Sequence, residues 1–190
     1  MNHIKLVLKY LIALIVTPQE RWQMLAANNQ QPESRENHVF TEYYLYLMGY
    51  VGILVFLSVG FYAKETVWVA TAMRSVVTFL ASFFLGPYVA HFALSWIIPL
   101  AWGIEHTKER MMVFIYYAMS FQMVALLFTE MFRASLFNLV YIYLFYIVWS
   151  AAVPYLGIPS RRRTSFTIIT SSVLFLSHWL IATVMGLFGN

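Results

Sequence analysis

The sequence holds no cysteine and no aspartate, and only 11% of its 190 residues are charged. Without cysteine there are no disulfides, no thiolate metal centres and no thiol nucleophiles. The eight acidic residues are all glutamate, so an aspartate-based triad or a paired-aspartate phosphoryl-transfer site has nothing to build from. Most soluble-enzyme templates fall away, and neither an enzymatic activity nor a cofactor is expected. Hydrophobic residues fill the space at 61%, against roughly 45–50% in soluble domains. Sixteen Phe, thirteen Tyr and six Trp suit a chain that meets hydrocarbon, headgroups and water, because amphipathic rings settle at those boundaries. The expected fold class is all-α: a polytopic membrane bundle of about five transmembrane helices with an N-terminal amphipathic interfacial helix.

The first apolar stretch, Ile4 to Val16, carries Lys5 and Lys9 four residues apart on one helical face. It falls short of the ~20 residues a crossing needs, so it is expected to lie in the interface. There Leu6, Leu8 and Leu11 would enter the acyl boundary while the lysines reach lipid phosphates. A signal peptide is the competing reading, disfavoured because no small-x-small cleavage site follows directly. Thr17-Pro18-Gln19-Glu20 has the form of a capping box. It predicts a second short helix with Trp22, Leu25 and Ala26 on one side. The polar stretch Asn28 to Asn37, with Pro32 inside it, predicts a loop in water.

Five crossings are expected after that: Tyr44 to Ala63, Val76 to Ile98, Met111 to Thr129, Leu136 to Ile158 and Ser165 to Phe188. The chain then divides into a cytoplasmic or interfacial segment, 1–43, and a transmembrane domain, 44–190. Short connections make consecutive spans antiparallel neighbours. Gly86-Pro87 allows a six-span alternative, and charge placement decides against it. Five spans put nine basic residues inside (Lys5, Lys9, Arg21, Arg35, Lys108, Arg110 and Arg161 to Arg163) against Lys64 and Arg133 outside, with Arg74 in neither count. Six spans would place the majority outside. The expected orientation is N-terminus cytoplasmic and C-terminus outside, with a kink where Pro87 interrupts the second span.

Polar residues inside apolar spans turn toward the bundle interior. His91, Gln122 and His178 therefore form a candidate intramembrane polar site, with Tyr88 and Ser95 near the first and Thr170, Ser171 and Ser177 near the last. They could assemble a proton relay or a weak metal site. Interhelical hydrogen bonding is the simpler role, and two histidines without nearby carboxylates are a poor metal set, so no bound metal is expected. Glu130 and Arg133 are spaced to pair on one helix. Tyr141, Tyr143, Tyr146 and Trp149 predict aromatic packing, with hydroxyls that need partners. Lys108, Arg110, Arg161, Arg162 and Arg163 make a candidate cytoplasmic basic docking face; the simpler alternative is an orientation signal attracted to anionic lipid. These residues flank membrane spans, so nucleic acid is not an expected partner.

Tyr116-Tyr117-Ala118-Met119-Ser120, an aromatic fourth span ending Tyr155-Leu156-Gly157-Ile158-Pro159, and Arg163 before a last apolar helix resemble the Yip family of five-span, Ypt/Rab-interacting membrane proteins. Thr17-Pro18, Glu20 and Trp22 are similar to the short proline–tryptophan element ahead of the first span in its bacterial members. The resemblance implies a five-helix bundle with a cytoplasmic head and an outside C-terminus. Eukaryotic members are associated with Rab GTPases and vesicle trafficking. This chain has only residues 1–43 ahead of its first expected span, so the resemblance does not carry a Rab-type GTPase over as partner. It runs to the short bacterial members and a bacterial cytoplasmic membrane. The expectation is a non-enzymatic membrane-organising or scaffold protein whose partners are lipids, other membrane proteins or further copies of itself. The alternative is a small permease or channel that uses His91, Gln122 and His178.

Overall fold

The computed structural model describes residues 3–27, 32–62, 68–132 and 140–187, and among them every regular element is helical. Helix α1 (His3–Val16) meets α2 (Pro18–Ala27) at Thr17 with almost no gap. The Thr17 amide closes α1 on the Ala13 carbonyl at 3.1 Å, while the Arg21 amide opens α2 on the Thr17 carbonyl at 3.0 Å. The expected capping box is not formed. The Thr17 hydroxyl donates back to Ala13 at 3.4 Å, and Pro18, lacking an N–H, leaves one fewer donor to cap.

A 3₁₀ turn at Pro32–Ser34 leads into the single turn α3 (Glu36–His38), which passes through π-helical residues Val39–Tyr44 into α4 (Leu45–Tyr62). The first long helix thus begins at Glu36, inside the stretch expected to be loop and ahead of Tyr44. The Glu36 amide donates to the Glu109 carboxylate at 3.3 Å. A distant residue therefore serves an amide that local sequence leaves open.

Helix α5 (Trp68–Trp102) outlasts the expected Val76–Ile98 at both ends and runs unbroken through Pro87 and Pro99. Gly103 stops it: at φ +68 it adopts the left-handed conformation, and its amide returns to the Pro99 carbonyl at 2.8 Å. Helix α6 (Lys108–Phe132) starts where the Thr107 hydroxyl accepts from the Arg110 amide at 3.3 Å, an N-cap three residues from its donor. Helix α7 (Ile142–Ala152) is shorter than the expected Leu136–Ile158; residues 133–139 lie outside the described residues. Its C-terminal end unwinds at Val153-Pro154, where proline withholds a donor. The Gly157 and Ile158 amides then fold back onto the Val153 and Ala152 carbonyls at 3.1 and 2.8 Å. Gly157 sits at φ +61, which explains the glycine in Tyr155-Leu156-Gly157-Ile158-Pro159. A 3₁₀ turn, Ser160–Arg162, opens α8 (Arg163–Leu187).

Helices α4 to α8 alternate in direction. One end of the bundle, the head, gathers the end of α5, the starts of α6 and α8, and the end of α7. Trp102 packs on Phe166 at 5.3 Å, and the Tyr155 hydroxyl donates to the Arg110 carbonyl at 3.3 Å. At the far end, the Arg74 guanidinium donates to the Gly186 carbonyl at 3.1 Å. Residues 111–123 of α6 are buried all round, because α1 and α2 close the side that the other long helices leave open. Val7, Tyr10, Leu14, Trp22 and Leu25 join the same hydrophobic core as the long helices. No break in packing therefore coincides with residue 43.

Among the described residues, four helical stretches are long and apolar enough to cross a bilayer: Glu36–Phe61, Trp68–Trp102, Lys108–Phe132 and Ser160–Leu187. The eleven residues of α7 cover only ~16 Å at 1.5 Å per residue, about half the hydrocarbon thickness.

Candidate functional site

The densest polar constellation lies where the N-terminal segment meets α6, and sequence reasoning missed it. Arg21 falls on the face of α2 that also carries Trp22 and Leu25, so packing the apolar residues carries the guanidinium inward, to 4% exposure. There it forms an ion pair with Glu33 and donates to the Tyr117 hydroxyl at 2.8 Å. It also lies over the rings of Tyr10 and Tyr117, at 4.7 and 5.3 Å. Tyr117 in turn donates to the Glu33 backbone carbonyl at 3.3 Å, and Lys9 approaches the Glu33 carboxylate at 3.9 Å. Burial works against the Arg21 charge, but Tyr117 and Glu33 more than offset it and raise its pKa. Burial would raise Glu33, yet the hydrogen bond and charge of Arg21 hold it below the usual carboxylate range. Beside them Trp22 packs on Phe114, Tyr117 and Tyr155 at 5.7, 5.9 and 5.1 Å. The arrangement is a latch: a buried charge pair in an aromatic box that fixes α1, α2 and the 3₁₀ turn to the central helix.

The lysines of α1 flank rather than face the bundle. Of the leucines expected in the acyl boundary, only Leu8 is exposed, while Leu6 and Leu11 pack against the core. The outward apolar stripe is instead Ile4, Leu8, Ile12 and Val16, four residues apart throughout.

His91, Gln122 and His178 do not share one cavity. His91 lines a space of about 350 Å³ at the head end with Ser95, Glu105, His106 and Lys108. His178 lines another of about 390 Å³ toward the far end and lies against Phe83 at 4.5 Å between centroids. Gln122 lines neither; it is buried, with neither amide atom hydrogen-bonded among the described residues. The Nδ1 of His178 is buried without a partner among the described residues as well. His106, in the loop after α5, has its pKa lowered by burial and then by Arg110. No group of three metal-ligating side chains occurs among the described residues.

The basic face divides. Arg163 donates from Nε to the Trp149 carbonyl at 2.8 Å and lies over the Trp149 ring at 4.4 Å. Arg162 reaches the Ala101 carbonyl at 3.4 Å. Both serve carbonyls in the last turns of neighbouring helices, where a cation also meets the negative end of the dipole. Arg110 stacks over Tyr155 at 4.9 Å. Lys108 and Arg161 are exposed. Of the fourth-span aromatics, the Tyr143 hydroxyl finds the Ile15 carbonyl at 2.6 Å, which ties α7 to α1. Arg133, the expected partner of Glu130, lies outside the described residues.

Comparison with protein-family models, curated proteins and solved structures finds no match. The class these features define is a helical membrane protein: long apolar helices, an outward surface of large hydrophobic side chains, and charge concentrated at the ends.

Proposed function

We propose that this chain is a non-enzymatic, membrane-organising protein of Yip-like architecture, with five crossings, a cytoplasmic head and the C-terminus outside. The observation that carries the reading is how the head uses its charges. Arg21, Arg110, Arg162 and Arg163 are engaged within the fold, whereas α1 offers the apolar stripe Ile4, Leu8, Ile12 and Val16 outward. Such a surface recognises lipid and other apolar helices rather than a soluble substrate. The fifth crossing rests on α7 with its flanking turns, and the orientation on the basic residues gathered at the head.

The test is gentle extraction from native membrane with cross-linking. Recovery of defined complexes with membrane proteins or with further copies of the chain supports the organising role. Recovery of the isolated chain alone, under cross-linking that captures a control complex, sinks it.

A second reading, a small permease, is favoured by one observation: two polar cavities enter α5 from opposite ends, one reaching His91 and the other Ser82 and His178. Solute or proton flux in proteoliposomes that falls with His178→Phe would replace the organising role with transport.

A further inference from the structure

In the first half of α5, Thr71, Ser75, Thr78 and Ser82 recur at intervals of three and four residues, with Arg74 beside Ser75 and three residues after Thr71, which places them along one side of an otherwise apolar helix. That face lines the far-end cavity of about 390 Å³ together with Glu130 of α6 and His178 of α8. The volume lies in the range of small-molecule sites. Glu130 stands in the last turn of α6 and Arg74 near the start of α5, bonded to the end of α8. Among the described residues, the mouth therefore carries one anion and one cation at the rim of the bundle. The floor carries the Nδ1 of His178, unpartnered among the described residues, and Ser82, which is fully buried. Ser82 spends its proton on the Thr78 carbonyl at 2.7 Å and keeps its lone pairs to accept.

A simple anion entering here meets the Glu130 carboxylate, and a simple cation meets the Arg74 guanidinium. A zwitterion offers one charge to each of these two side chains. Next in sequence to two lining residues, Leu54 and Met131 frame an apolar groove of about 310 Å³ with Leu57 and Phe61. A zwitterion with acyl chains attached would have a place for them beside its headgroup.

We propose that this crevice binds the headgroup of an aminophospholipid of the phosphoethanolamine type, its phosphate on Arg74 and the hydroxyl stripe and its ammonium on Glu130. The site faces the leaflet away from the head. It is independent of the organising role, because its test reads lipid retention and not protein partners.

The experiment is native mass spectrometry of the purified chain titrated with phosphatidylethanolamine or phosphatidylglycerol of identical acyl chains, and separately with free phosphoethanolamine. Phosphatidylethanolamine is expected to be retained at least about fivefold over phosphatidylglycerol, the scale of a partly exposed ion pair. Glu130→Gln should abolish that preference and Glu130→Asp should keep it, while both variants melt with the parent because Glu130 is exposed. Equal retention of the two lipids overturns the proposal, as does a preference that survives Glu130→Gln. Capture of free phosphoethanolamine with no selectivity between the lipids overturns the lipid assignment.

Discussion

The Tyr44 hydroxyl donates to the Phe83 carbonyl at 2.8 Å, and Phe83 is the residue whose carbonyl Pro87, four positions on, has no amide to serve. The carbonyl left open by the proline expected to kink the second span is thereby served. Both Tyr44 and Phe83 are fully buried, so no water competes for the bond, and α5 continues unbroken through the proline. The helical pattern shows the missing donor; it does not show that a tyrosine of another helix supplies one.

Tyr44→Phe should therefore destabilise the bundle by about 1–3 kcal/mol, the cost of a buried acceptor left unmade. In a Pro87→Ala background the restored amide can take the Phe83 carbonyl, and the same Tyr44→Phe change should cost less. Thermal unfolding of the four variants in one detergent gives the coupling. Equal costs in both backgrounds would show that the hydroxyl does not serve that carbonyl.

The latch predicts an asymmetry between single and paired changes. Arg21→Gln alone leaves the Glu33 carboxylate with only the exposed Lys9 at 3.9 Å and should loosen the N-terminal segment by about 3 kcal/mol. Arg21→Met with Glu33→Leu should recover much of that loss. Hydrogen exchange over α1 and α2 reads the effect locally, and similar exchange in the single and double variants would argue against a charge-pair latch.

Acid should open the same latch. The folded Glu33 carboxyl is held below its ordinary value, so the stability it contributes is complete above about pH 4.3, where the unfolded chain's glutamate is ionised. That stability declines as pH falls from there through the lower, folded pKa. Proteolysis within residues 3–27 should accelerate below about pH 4, and Glu33→Gln should flatten that dependence. A pH profile unchanged by Glu33→Gln would assign the acid sensitivity elsewhere.

The arginine cluster should not behave as one unit. Arg163 holds the Trp149 carbonyl and ring, and an ammonium lacks the planar guanidinium and the Nε donor that do so. Arg163→Lys is expected to lower stability by about 1 kcal/mol, whereas Arg161→Lys, at an exposed position, should be silent. Equal melting shifts for the two would return the cluster to a plain orientation signal.

Apolar length and turn chemistry made much of the helix order legible. Gly103 and the Thr107 N-cap stand where the loop between the second and third spans was expected, and α1 agrees with the expected Ile4–Val16 within a residue. Burial was not legible. A stretch apolar on every side, such as residues 111–123, reads alike whether lipid or protein surrounds it, so the enclosure of α6 by α1 and α2 could not be foreseen. The latch joins positions 21, 33 and 117, and no local spacing connects them. The one available sign was an arginine on the Trp22 and Leu25 face of α2. Likewise His91 and His178 stood out as polar residues in apolar helices, but only the packing of α5 against α8 assigns them to different cavities.

The most direct measurement of the proposed architecture is side-specific labelling of single cysteines, which the absence of native cysteine allows. Cysteines at Asn138, Ser160 and Asn190 bracket α7 and α8. With five crossings and a cytoplasmic head, Ser160→Cys labels only from the cytoplasmic side, and Asn138→Cys and Asn190→Cys only from the outside. Labelling of positions 138 and 160 from the same side would mean that α7 does not cross, and would contradict the five-span bundle.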